Sequence, residues 1–151
     1  MIFEHVGITV GDLARSIRFY TEVFGFSLLR KATTNAYLYL DDQLLELMQG
    51  DPATTRPRPE TATGWNEQVW SQVPLIHLGF RVDDMDQALD KIVALGGEVV
   101  VPPADYTPTI EHVAEVSHEK LRRAARPIGK PSWRIADVSD PDGVMLEILE
   151  R

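Results

Sequence analysis

Residues 5–29, HVGITVGDLARSIRFYTEVFGFSLL, decide the fold, because residues 77–101, HLGFRVDDMDQALDKIVALGGEVVV, repeat their pattern without a gap. The identities are His5/His77, Gly7/Gly79, Val10/Val82, Asp12/Asp84 and Gly25/Gly97, and the apolar positions agree throughout. A pattern that recurs at a fixed offset marks one supersecondary unit used twice. Each copy opens with the alternation of a half-buried strand: Val6, Ile8 and Val10 on one face with His5, Gly7 and Thr9 on the other, then Leu78, Phe80 and Val82 against His77, Gly79 and Arg81. Asp12 and Asp84 stand where a helix N-cap belongs. Each precedes apolar residues at helical spacing, Leu13, Ile17, Tyr20 and Phe24 in the first copy and Met85, Leu89, Ile92 and Leu95 in the second. Gly25 and Gly97 are placed to end these helices.

Downstream of the first helix, FSLLRKA, AYLYL and QLLELMQ read as three strands, with Asp41-Asp42 at a tight turn. In the second copy EVVVPP, WRIADVS and VMLEILE give the same order, and Asp140-Pro141-Asp142-Gly143 is a strong turn signal before the last strand. The predicted organisation is therefore α+β, with two βαβββ modules at 1–50 and 75–151. Residues 51–74, rich in Pro, Thr and Gly and carrying Trp65 and Trp70, form the connection. The second module is the longer, its extra length falling in an inserted segment, 103–131. Within it Ile110, Val113, Val116, Ser117 and Leu121 predict an amphipathic helix over 109–125, read as a surface or dimer helix in preference to a lid.

Composition narrows the function classes. The formal net charge of −8 opposes nucleic-acid binding, which depends on clustered Lys and Arg. There is no cysteine, which excludes disulfides, thiolate metal sites and cysteine nucleophiles, so any metal is held by N and O donors. The opening MIFEHVGITVGD lacks a basic n-region and a long apolar run, and no stretch has the roughly 20 apolar residues of a membrane span. A cytoplasmic protein with no membrane partner is expected.

Four residues stand out through the repeat. The two histidines project from the strand face opposite the apolar one. In QLLELMQ, Glu46 shares a face with Leu44 and Met48; in VMLEILE, Glu147 shares one with Met145 and Leu149. Each is a charge set among apolar strand residues, a costly placement unless the carboxylate is paired or bound to metal. Taken singly, these are ordinary strand-end histidines and edge glutamates. One His on the first strand and one Glu on the last strand of both modules, however, place two N and two O donors around a pseudo-twofold axis. That set suits one octahedral Zn²⁺, Ni²⁺, Co²⁺, Mn²⁺ or Fe²⁺ with two positions open to water or substrate. Arg81, on the His77 face, is a candidate for binding an anionic substrate group. His112 and His118 are not at the i, i+4 spacing of paired helix ligands and are expected in solvent. No phosphate loop, serine nucleophile elbow or HExxH sequence is present.

The run from His5 to Phe26, L-L-E-L around Glu46, H-L-G-F-R-V from His77 and D-P-D-G-V-M-L-E-I from Asp140 together resemble the vicinal oxygen chelate superfamily. Its members include glyoxalase I, methylmalonyl-CoA epimerase, extradiol dioxygenases and the fosfomycin and bleomycin resistance proteins. The resemblance covers nearly all of the chain outside the two insertions. It implies paired βαβββ modules forming a cupped mixed sheet around a metal held at His5, Glu46, His77 and Glu147. The complete four-ligand set resembles glyoxalase I and the epimerases more than the two-His-one-carboxylate dioxygenases or the metal-free binding members. The implied activity is a lyase or isomerase reaction: proton transfer next to a carbonyl through an enediolate or enolate stabilised by the metal. The resemblance makes Glu147 the base and Glu46 a ligand or second acid–base group. An extradiol-type dioxygenase and a non-catalytic small-molecule or antibiotic binder are the alternatives. Thr9 stands where glutathione-using glyoxalases carry an Arg, and Gly50 where they carry an amide, so the substrate-facing position Thr9 points away from glutathione. The modules of such proteins pair within a chain or swap between two, and a homodimer is expected.

Overall fold

The computed structural model describes residues 4–50, 77–107, 119 and 132–151. The connection 51–74, most of the inserted segment and its helix, and His112 and His118 lie outside them. The first module runs β1 (His5–Val10), α1 (Leu13–Phe24), β2 (Ser27–Lys31), β3 (Asn35–Leu40) and β4 (Gln43–Gln49). The second runs β5 (Leu78–Arg81), α2 (Met85–Ala94), β6 (Glu98–Tyr106), β7 (Trp133–Ser139) and β8 (Met145–Glu150). Each module forms a four-stranded mixed sheet, ordered β1-β4-β3-β2 and β5-β8-β7-β6. In each, the first strand lies parallel to the last and the remaining pairs are antiparallel. The α+β reading and the two-module repeat stand.

Local chemistry accounts for the helices. Asp12 is extended at φ −134°, and its carboxylate accepts the free N–H groups of Ala14 and Arg15. Asp84 caps α2 in the same way, accepting from Gln87 N at 2.9 Å. Gly25 ends α1 in the left-handed region at φ 77°, as its position predicts. At the end of α2 the left-handed residue is instead Gly96, at φ 89°. Gly97, the residue in register with Gly25, is small for another reason: a Cβ there would stand 2.6 Å from both Ser139 O and Ile92 Cγ2. A further difference lies in β6, which continues through Pro102 and Pro103 to Tyr106, so the inserted segment begins as strand.

The core draws on both modules. Ile8, Val10, Phe19, Tyr20, Leu38 and Leu47 of the first join Met85, Ile92, Val138, Leu146 and Ile148 of the second in one buried cluster. At roughly 1.5–3 kcal/mol for each fully buried large side chain, this is the main favourable contribution to folding. The modules meet at α1. Phe24 stacks on Phe80 with ring centroids 3.9 Å apart. The turn before β8 reaches across as well. Asp142 accepts hydrogen bonds from Gly11 N and Ser16 Oγ, both at 2.9 Å, and pairs with Arg15, while Asp140 accepts from the Tyr20 hydroxyl at 2.9 Å. Among the described residues no helix is long and apolar enough to cross a membrane.

Candidate metal centre

Strand pairing brings each histidine beside its glutamate. In the first sheet β1 and β4 place Gly7 opposite Glu46, and His5 Nε2 lies 3.5 Å from Glu46 Oε2. In the second, Gly79 is opposite Glu147, and His77, directly before β5, sets its Nε2 3.1 Å from Glu147 Oε2. Leu45 and Leu47, and likewise Leu146 and Ile148, point into the core, so alternation forces both glutamates onto the other face. The glutamate side chains are 13% and 18% exposed, well covered for charged groups, and the histidines are more open.

The two pairs share a geometry that suits a metal. With bonds of about 2.1 Å, neighbouring ligands at right angles stand about 3.0 Å apart, close to the separations within each pair. The donor types, imidazole nitrogen and carboxylate oxygen, match those expected from a cysteine-free chain. His5 is further oriented by Glu4, whose carboxylate lies 2.6 Å from Nδ1 and leaves Nε2 toward Glu46. A carboxylate on the far ring nitrogen of a ligand histidine fixes its tautomer and orientation. Within one chain, however, the pairs stay apart: among the described residues no group of three or more His, Asp or Glu side chains is placed to hold one ion.

The surroundings of the two glutamates differ. Asn35 Nδ2 donates to Glu46 Oε1 at 2.8 Å, and Tyr37, opposite Glu46 on β3, also hydrogen-bonds to it. Burial, together with that bond and the nearby carboxylate, pushes the Tyr37 phenol above its ordinary value, so it stays a donor. At the corresponding places in the second sheet stand Ile135 and Asp137, the latter directly opposite Glu147. Burial raises the Asp137 carboxyl and the charge of Glu147 adds to the effect, opposed by His77. Sequence reasoning passed over Asn35, Tyr37 and Asp137. The alternation of WRIADVS carries a signal for Asp137, the one charge on the strand face turned away from the buried Ala136 and Val138, by the rule that selected the glutamates.

Of the remaining candidates, Arg81 and Thr9 are both exposed, Arg81 as the last residue of β5 and Thr9 one residue before the end of β1, opposite Met48. Gly50 N donates to Val10 O at 2.9 Å, a backbone contact that leaves no side chain to reach a ligand.

The two repeated four-stranded sheets agree with the fold that the sequence resemblance implies. Residues 2–148 match the model of the Glyoxalase/Bleomycin resistance protein/Dioxygenase superfamily, and the chain belongs to that superfamily. More particularly, it is 31% identical to a probable lactoylglutathione lyase of Vibrio parahaemolyticus over 97% of this chain and 88% of that protein. It is 30% identical to the lactoylglutathione lyase of Salmonella typhimurium over 97% and 90%. In fold it resembles the fosfomycin resistance protein FosX of Mesorhizobium loti, with a TM-score of 0.59 and 20% identity over 100% of this chain and 94% of that one.

Proposed function

We propose that the protein is a glyoxalase-like lyase or isomerase that moves a proton at a carbon next to a carbonyl, with His5, Glu46, His77 and Glu147 holding one divalent ion. The observation that carries this reading is the His–Glu pair repeated at the same register in both sheets. The lyase names of relatives aligned along nearly the whole chain support it. A bound Zn²⁺, Ni²⁺, Co²⁺, Mn²⁺ or Fe²⁺ supplies a Lewis acid for the substrate's oxygen atoms.

The chain's own residues divide the remaining work. Glu46, held by Asn35 and Tyr37, is a fixed holder of the ion. Glu147 is held by no such donor among the described residues and is the carboxylate that takes the proton from the substrate carbon and returns it. Arg81 and Thr9 flank the substrate. Because each chain keeps its two pairs apart, we place the complete set between two copies, with His5 and Glu46 of one facing the His77 and Glu147 positions of the other.

Metal analysis tests the reading. The purified parent is expected to hold about one divalent ion per chain, and His5→Ala and Glu147→Gln to hold far less. Equal metal in parent and variants overturns it. Assay of the loaded parent for lactoylglutathione lyase activity, with glutathione replaced in turn by other thiols, then tests the substrate inference from Thr9 and Gly50.

A further inference from the structure

We infer that Asp137 is a further carboxylate of the divalent-ion site, acting on the ion from beside Glu147 and outside the four ligands. This inference rests on the metal reading above. Asp137 and Glu147 are directly opposite on antiparallel strands, so their side chains leave the same face of the sheet. Like charges in that relation are destabilising. Both are largely covered, and Asp137 sits between Val101 on β6 and Glu147 on β8, with Ile135 two residues along the same face. Covered carboxylates in such surroundings need a compensating positive charge.

The repeat makes the placement informative. At the same register the first module presents the Tyr37 hydroxyl, and two residues earlier Asn35, both donating to Glu46. The second module answers with a negative charge and an isoleucine. Among the described residues no hydrogen bond or ion pair reaches Asp137, and Glu147 has His77 Nε2 as its one polar partner. A divalent ion on His77 and Glu147 brings positive charge into the range of both carboxylates and turns their repulsion into a shared attraction. Asp137 therefore opposes the metal-free fold and favours the loaded one. A side chain with a merely structural role affects both in the same direction.

The experiment uses the full chain, stripped with chelator and titrated with Mn²⁺ alone and with Zn²⁺ alone by calorimetry, alongside the metal-free thermal midpoint. Asp137→Asn keeps the shape and removes the charge. It is expected to weaken binding of both ions about tenfold and to raise the metal-free midpoint by about 1–4 °C. Asp137→Glu, which keeps the charge, retains most of the affinity. Parental affinity in Asp137→Asn, or a fall in both affinity and midpoint, overturns the inference provided that His77→Ala and Glu147→Gln lose the ion. If those two variants bind as the parent does, the metal reading itself is overturned.

Discussion

Glu46 and Glu147 occupy equivalent places in two copies of one motif, yet their surroundings differ residue by residue. Asn35 and Tyr37 satisfy the oxygens of Glu46 and fix its rotamer, so the first pair is preorganised. Asn35→Ala removes one donor at the sheet surface. It is expected to weaken divalent-ion binding about tenfold, measured by calorimetry, with the thermal midpoint near that of the parent. An unchanged affinity would argue that Glu46 needs no such support. The four proposed ligands were legible because a charge interrupts an apolar alternation at the same place twice. The donors to Glu46 were not, since Tyr37 in AYLYL reads as an ordinary aromatic strand residue and only the β3–β4 register sets it opposite Glu46.

At the scale of elements, the sequence was most readable where the interactions are local. Both helix starts were predicted because an aspartate cap acts on N–H groups two or three residues away. The hydrogen bond from Arg15 N–H holds the Asp12 carboxyl below its ordinary value against the opposing effect of burial, with smaller help from Ala14 N–H and nearby positive charge. For a depressed carboxylate, the stabilisation is present above the unfolded value and is lost as pH falls through the folded one. The thermal midpoint of the parent should therefore exceed that of Asp12→Ala at pH 7, with the gap narrowing as the pH drops below the usual carboxylate range. A gap that widens on acidification would contradict the cap. The second helix end was less readable. Aligning Gly97 with Gly25 assumes one role for both, but Gly96 makes the turn while Gly97 admits the close approach of β7, a contact set by tertiary packing.

For the whole molecule, the D-P-D-G segment was legible as a turn but not as the anchor between modules, because its partners Tyr20, Ser16 and Arg15 lie more than a hundred residues away in sequence. Burial raises Asp140, opposed by the Val144 and Asp142 N–H groups and the Tyr20 hydroxyl, while Asp142's charge raises it further. Burial likewise drives Tyr20 well above its ordinary value, so it remains the donor. A raised carboxyl contributes its full stability below the unfolded value and loses it as pH rises through the folded one. The parent's thermal midpoint relative to Asp140→Asn should thus decline from pH 4 to pH 8, and a relative gain with pH would exclude this account.

A site shared between copies makes a separate prediction. Mixing His5→Ala chains with His77→Ala chains gives a heterodimer in which one site carries both substitutions and the other carries neither. Ion binding absent from either variant alone should return on mixing. No recovery after subunit exchange would place the complete site within one chain.

The sheet orders put β1 and β5 at the ends of their sheets, with the strands of both glutamates next to them. On the shared-site reading, specific activity is then a bimolecular quantity: dilution below the dimer's dissociation constant removes stability and turnover together, and substrate that bridges the two halves draws the subunits back into register by mass action.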